Sequence, residues 1–258
     1  MLDAFAKAKQ AEIAALEALA AAGDFPAPWA GERPSFVESL LRRGPGAIIA
    51  EYKRASPSRG DIAPELRAAD VAMAYARGGA AAVSVLTQEE HFRGRLEFLD
   101  EAAGCGLPLL RKDFILHPLQ VRRTAATPAS AVLLIARMVP VERLALLVPL
   151  CRELGLTAVT EIFDEADLHR ARQAGARVIQ VNNRDLDTLA VNLDVSRAMV
   201  ARRIPGEIWI SASGITRHAE VAEMAAKGYD AVLVGTSLME GGDPAGALER
   251  LRSGEGET

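Results

Sequence analysis

Eight short apolar runs recur at near-even spacing along this chain, and helical patterns fill most of the gaps between them. This alternation restricts the possible folds more than any other feature. The runs occupy 47–53 (AIIAEYK), 80–86 (AAAVSVL), 107–112 (LPLLRK), 131–136 (AVLLIA), 156–161 (LTAVTE), 177–182 (RVIQVN), 207–213 (EIWISAS) and 230–235 (DAVLVG). Helical segments are read at 64–77, 116–125, 141–154, 165–173 and 217–227, with a last one at 245–252. Short β-branched runs of this kind form strands buried on both faces. Strands that alternate with helices form a parallel sheet joined by crossovers. An open doubly wound sheet is the competing architecture, but its first turn is glycine-rich, whereas this chain has Ser56-Pro57-Ser58-Arg59-Gly60 there. Eight even units favour closure into a (β/α)₈ barrel of the α/β class. A length of 258 residues suits such a barrel, which typically needs about 250.

Ahead of the first strand, Leu2, Phe5, Ile13, Leu16 and Ala20 stand at helical spacing over residues 2–22. A Gly-Asp-Phe-Pro break follows, and Pro34-Ser35 opens a second short helix through Leu41. Asp164, Thr216 and Asp243-Pro244 are expected helix starts. The expected organisation is one barrel domain over 1–258. Within it, 1–46 is an N-terminal helical extension, 47–252 the barrel and 253–258 a disordered tail.

Composition narrows the partners. A formal charge of −4 argues against a nucleic-acid binder, whose domains tend to be basic, but leaves a small anionic ligand open. Cys105 and Cys151 have neither CxxC nor metal-ligand spacing and read as reduced thiols. Lys and Glu interrupt the Ala-rich N-terminus, so it lacks a signal-peptide core. No apolar run approaches the ~20 residues of a membrane span. A cytoplasmic protein without membrane or nucleic-acid partners is expected.

The chemistry collects where the strands end, which is where barrels of this type carry their active sites. The first strand ends in Glu51 and Lys53, the third in Lys112, the fifth in Glu161 and the sixth in Asn182. Strand side chains alternate faces, so Ile49, Glu51 and Lys53 point one way and Tyr52 and Arg54 the other. For Glu51 and Lys53 alone, a structural ion pair is as good a reading as a catalytic one. Two lysines, two carboxylates and an amide converging on one mouth favour function. The seventh and eighth strands end instead in Ser211-Ala212-Ser213-Gly214 and Val234-Gly235-Thr236-Ser237. Small and hydroxyl residues leading into helices suit a phosphate held on backbone N–H groups. His117 reads as a helix-start residue and His169 and His218 as helix-surface residues, so neither a histidine relay nor a zinc site is expected. Trp209 alternates away from Ile210 and Ala212 and should pack under the helices.

Together these stretches resemble the indole-3-glycerol phosphate synthase family of tryptophan biosynthesis. The resemblance rests on Ile48-Ile49-Ala50-Glu51-Tyr52-Lys53-Arg54-Ala55-Ser56-Pro57-Ser58, Ser84-Val85-Leu86-Thr87 and Leu109-Leu110-Arg111-Lys112-Asp113-Phe114. It continues in Val181-Asn182-Asn183-Arg184-Asp185-Leu186, Ser213-Gly214-Ile215 and Gly235-Thr236-Ser237-Leu238-Met239. It implies ring closure, decarboxylation and dehydration of 1-(2-carboxyphenylamino)-1-deoxyribulose 5-phosphate. Lys112 would be the general acid, Glu161 would assist dehydration, and Glu51 would support acid–base work. Lys53 would meet anionic groups of the substrate or serve as an acid, and Asn182 would orient Glu161 or the substrate. Ser56 and Arg184 would lie near the substrate carboxylate, with Phe92 and Phe114 walling the aromatic ring. Ser213, Gly214, Gly235 and Thr236 would hold the phosphate. Neither metal nor organic cofactor is implied. The partners implied are a phosphorylated small molecule and, at most, other tryptophan-pathway enzymes.

The chain departs from the family pattern at Ala212, where Glu is usual, and at Gln180, where Gly is usual. Both side chains should point inward, with Gln180 supplying polar contacts that the absent Glu would have made. Gln88, Arg95 and Phe163 stand in place of Asp, Ser and His. A Schiff-base aldolase or sugar-phosphate isomerase on the same barrel, and a barrel that binds a phosphorylated ligand without turnover, remain the alternatives.

Overall fold

The computed structural model describes residues 2–255, the side chain of Asp3 excepted. Eight parallel strands close into a barrel: β1 (Ala47–Tyr52), β2 (Ala82–Leu86), β3 (Leu109–Lys112), β4 (Ala131–Ile135), β5 (Thr157–Ile162), β6 (Val178–Asn182), β7 (Ile208–Ala212) and β8 (Ala231–Val234). Each pairs with its sequence neighbour, and β1 closes the ring on β8 with Ala47 opposite Ala231 and Ile49 opposite Leu233. The (β/α)₈ expectation is met.

Alternation along the strands sorts the apolar residues into two layers. Ile49, Leu110, Leu133, Val159, Ile210 and Leu233 fill the barrel interior, with Ala47, Ala82, Ala131 and Ala231 leaving room for them. Ile48, Tyr52, Val83, Val132, Ile179, Trp209 and Val232 face outward into the layer shared with the helices. Trp209 is fully buried there, edge-on to Tyr229, and its indole N–H donates to Glu207 at 2.8 Å.

The N-terminal segment forms two helices, Leu2–Ala8 and Gln10–Ala22, that meet at Lys9, and a third at Phe36–Arg43 capped by Ser35. Asp164 and Asp243 cap their helices as expected. Thr216 does not: the helix starts at His218, and Glu220 reaches back to accept from the backbone N–H groups of Thr216 and Arg217. His117 caps the helix Pro118–Ala125. The last helix runs from Pro244 to Ser253 and ends on Gly254 in the left-handed region. Residues 256–258 of the expected tail lie outside the described residues.

Two small elements at the mouth have no counterpart in the sequence reading. After β1, Ala55–Ser56 pairs antiparallel with Gly60–Asp61, so the Ser-Pro-Ser turn is the tip of a miniature hairpin. After β8, a single helical turn, Thr236–Met239, precedes the last helix.

Candidate active site

All thirteen residues singled out from the sequence line two adjoining cavities at the C-terminal end of the barrel, which share Glu51, Lys53, Lys112 and Glu161. On β1, alternation sends Glu51 inward above Ile49, where it is 4% exposed. Lys53 Nζ lies 3.1 Å from Glu51 Oε1, and the Ser84 hydroxyl donates to Glu51 Oε2 at 3.3 Å. Across the mouth, Lys112 Nζ stands 3.6 Å from Glu161 Oε2, and the amide of Gln180 donates to that oxygen at 2.5 Å. Two lysine–carboxylate pairs from opposite sides of the ring therefore face one space. Charges removed from water in this way need partners. Here each carboxylate has a partner while its lysine still borders the cavity.

Three rings form one wall. Phe5, from the first helix, stacks on Phe114 with centroids 4.3 Å apart and planes 13° from parallel. Phe92 sits 6.4 Å from both Phe5 and Phe114. Gln88, at 3% exposure, caps the short helix Glu89–Phe92 that presents Phe92 by accepting from the His91 N–H at 2.8 Å. The departure at Gln88 thus has a structural use. Arg95 lies away from the cavity, its guanidinium 4.7 Å above the Phe98 ring, and Arg137 lies 4.5 Å above Phe163.

The opposite wall is made of small residues. A Cβ at Gly235 would stand 2.5 Å from Glu51 Oε1, so any side chain there would displace the Glu51 carboxylate. Gly214 has φ +85°, and a side chain there would run into Val191. Ser213 adopts a left-handed φ of 69°, held by Asn183, whose amide donates to the carbonyls of Ala212 (3.0 Å) and Ser213 (3.1 Å). Thr236 completes this rim, and Ser56 and Ser58 hang over the cavity from the hairpin.

Asn182 and Arg184, at the end of β6, close a further side of the cavity. Asn182 Oδ1 accepts from the Arg184 backbone N–H at 2.9 Å, and the Arg184 guanidinium donates to the Leu189 carbonyl at 2.9 Å. Burial pulls the Arg184 guanidinium down from its ordinary range, Glu51 opposes this and Arg59 adds to it. Among the described residues the side-chain hydrogen bond to Glu161 comes from Gln180 and none comes from Asn182.

Beneath the aromatic wall lies a second charged cluster. Asp113 Oδ1 accepts from Lys9 Nζ (2.6 Å) and the Phe114 N–H (2.8 Å), and Oδ2 from Thr87 (2.6 Å) and Arg111 (2.9 Å). Burial works against ionisation of Asp113, but Arg111, Lys9 and Thr87 outweigh it and hold the carboxyl below its usual range. Lys9 also pairs with Glu12 at 2.6 Å, so the cluster fastens the N-terminal helices beside the mouth.

The sequence reading missed Phe5, Gln88, Asn183 and the Gln180–Glu161 bond. Phe5 carried only a helix-periodicity signal, and Gln180 was expected to point inward and supply polar contacts, with no partner named for it. Among the described residues no group of three or more His, Cys, Asp or Glu is arranged to hold a metal, and no helix is long and apolar enough to cross a membrane.

In solved structures, 3-hexulose-6-phosphate synthase superposes with a TM-score of 0.63 at 15% identity, covering 80% of this chain and 98% of its own. Thiamine phosphate pyrophosphorylase from Pyrococcus furiosus gives 0.58 at 16% identity, covering 80% and 93%. At such identities these matches speak for the barrel alone. In sequence, the indole-3-glycerol phosphate synthase of Desulfosudis oleivorans is 44% identical over 229 residues, 86% of this chain and 87% of that protein. That of Mycobacterium ulcerans is 40% identical over 254 residues, 97% and 93% of the two chains. The family model described as Indole-3-glycerol phosphate synthase matches residues 2–251. The chain therefore belongs to the indole-3-glycerol phosphate synthase family.

Proposed function

We propose that this protein converts 1-(2-carboxyphenylamino)-1-deoxyribulose 5-phosphate into indole-3-glycerol phosphate, carbon dioxide and water. The observation that carries the reading is the layout of the mouth. Two lysine–carboxylate pairs stand between an aromatic wall and a rim of glycine and hydroxyl residues. A substrate with an aryl carboxylate at one end and a phosphate at the other fits across that span. The ring packs on Phe92 and Phe114, its carboxylate lies toward Ser56 and Arg184, and the phosphate sits at Ser213, Gly214, Gly235 and Thr236.

In this reading the Lys112 ammonium gives a proton to the ribulose carbonyl oxygen as the ring carbon attacks the carbonyl carbon. The bond to the carboxylate then breaks, its electron pair restores the aromatic ring, and carbon dioxide leaves. Glu161 takes the proton from the carbon next to the new hydroxyl. Lys53, held by Glu51, supplies the proton with which that hydroxyl departs as water. Asn182 orients the substrate beside Glu161. A phosphorylated small molecule is the partner. Enzymes of the same pathway are the protein partners to which this reading points, and a cytoplasmic location goes with it.

The test is the fluorescence of indole-3-glycerol phosphate formed from the carboxyphenylamino substrate by wild type and by Lys112→Ala. Wild type should turn over, and the variant should lose roughly 10²–10⁴-fold in kcat, the range for a positioned acid. Binding without turnover in folded wild type would replace the synthase by a ligand-binding barrel. Borohydride trapping of a keto-sugar phosphate on Lys112 would replace it by a Schiff-base enzyme.

A further inference from the structure

Gln180 lies fully buried in the barrel interior, in register with Glu161 on the neighbouring strand. Its Nε2 donates to Glu161 Oε2, while its own Oε1 is buried and accepts from no protein group among the described residues. A glutamine placed to knit a core satisfies both ends of its amide, and this chain contains one for comparison. Gln120, equally buried, accepts from the N–H groups of Leu116 (2.8 Å) and His117 (3.1 Å) and donates to Glu12 and the Phe114 carbonyl (both 3.2 Å). A buried polar atom without a partner is costly. Gln180 is thus a poor structural crosslink whose one side-chain hydrogen bond goes to Glu161. Position 212 on β7, the register partner of Asn182, carries only a methyl group and offers Glu161 no polar contact. The bonded oxygen also faces Lys112 at 3.6 Å, whereas Glu161 Oε1 forms no hydrogen bond among the described residues.

We infer that Gln180 is the positioning residue of Glu161. Its N–H pins Oε2 beside Lys112 and turns Oε1 toward the substrate. An amide suits both protonation states of its partner. It donates to Oε2 of the carboxylate, and it goes on donating to the same oxygen, then the carbonyl oxygen of the acid, once Oε1 has taken the substrate's proton. This inference rests on the proposed role of Glu161.

The experiment is a double-mutant cycle with steady-state kinetics on Gln180→Leu, Glu161→Gln and the double variant, with Gln180→Met as a second volume-preserving replacement. Gln180→Leu should lower kcat by about tenfold or more and leave KM within about twofold, as expected when a transition-state contact is lost. Its melting temperature should change by no more than a few degrees, because loss of the unpartnered oxygen offsets part of the cost of the lost bond to Glu161. In the Glu161→Gln background the same change should add no further loss. Wild-type kcat in folded Gln180→Leu or Gln180→Met, with Glu161→Gln impaired, overturns this inference alone. An additive loss in the double variant overturns it as well. Full activity in Glu161→Gln overturns the role proposed for Glu161 and this inference with it, whereas no turnover in wild type overturns the proposed function.

Discussion

Of the buried carboxylates around the mouth of this barrel, Asp113 and Glu161 are treated in opposite ways. Asp113 is saturated: each oxygen receives two donors, from Lys9, Phe114, Thr87 and Arg111, at 2.6–2.9 Å. Glu161 has one hydrogen-bond donor, Gln180, and one ammonium at 3.6 Å. The two are similarly buried, at 3% and 2% exposure, so burial alone does not distinguish them. What differs is spare capacity. A carboxylate whose lone pairs are all engaged fixes the chain, whereas one with an oxygen left over can take a proton from something else. Gln120 and Gln180 repeat the same contrast in amides.

The largest effect should come from exchanging the charges for their amides. Glu161→Gln should cut kcat/KM by roughly 10²–10⁴-fold and leave urea unfolding nearly unchanged. Asp113→Asn should do the reverse, costing about 3–5 kcal/mol of stability because Lys9 and Arg111 lose a buried partner. Its kcat under folding conditions should stay within a few-fold. Equal effects of the two variants on both readouts would erase the distinction.

A smaller effect should follow from Phe5→Ala, which removes the ring stacked on Phe114 while sparing the charged cluster below. If Phe5 belongs to the substrate's wall, KM rises by about tenfold, worth ~1.4 kcal/mol, with kcat nearly kept. Loss of stability with unchanged KM would assign Phe5 to the anchoring of the helix instead.

The smallest effect is on pH. The folded carboxyl of Asp113 lies below its usual value of about 3.9. Its contribution to stability is therefore complete above that value and is lost as pH falls through the lower folded value. Thermal unfolding of wild type should weaken below about pH 4, and Asp113→Asn should show a shallower fall over the same window.

Much of the site is legible in the sequence, and the reason is local geometry. Glu51, Lys53, Lys112, Glu161 and Asn182 lie at strand ends at positions that alternation alone assigns to the inner face. The parts that were not legible depend on distant segments. Phe5 meets Phe114 only because Lys9 carries its helix onto Asp113. Ser56 was read in a simple turn, whereas pairing with Gly60 makes it part of a hairpin over the cavity. Thr216 looked like a cap by residue type, but the carboxylate of Glu220 serves that end.

The sequence by itself determined the barrel, its two apolar layers and the identities of the groups that face the mouth. A period of two along a strand and 3.6 along a helix is a property of the backbone, legible wherever polar and apolar residues follow it. Only the tertiary structure decided which charge meets which. The Lys112–Glu161 and Gln180–Glu161 contacts depend on strand register and closure of the ring. Those are set by the packing of the whole interior and are invisible in the spacing of any one segment.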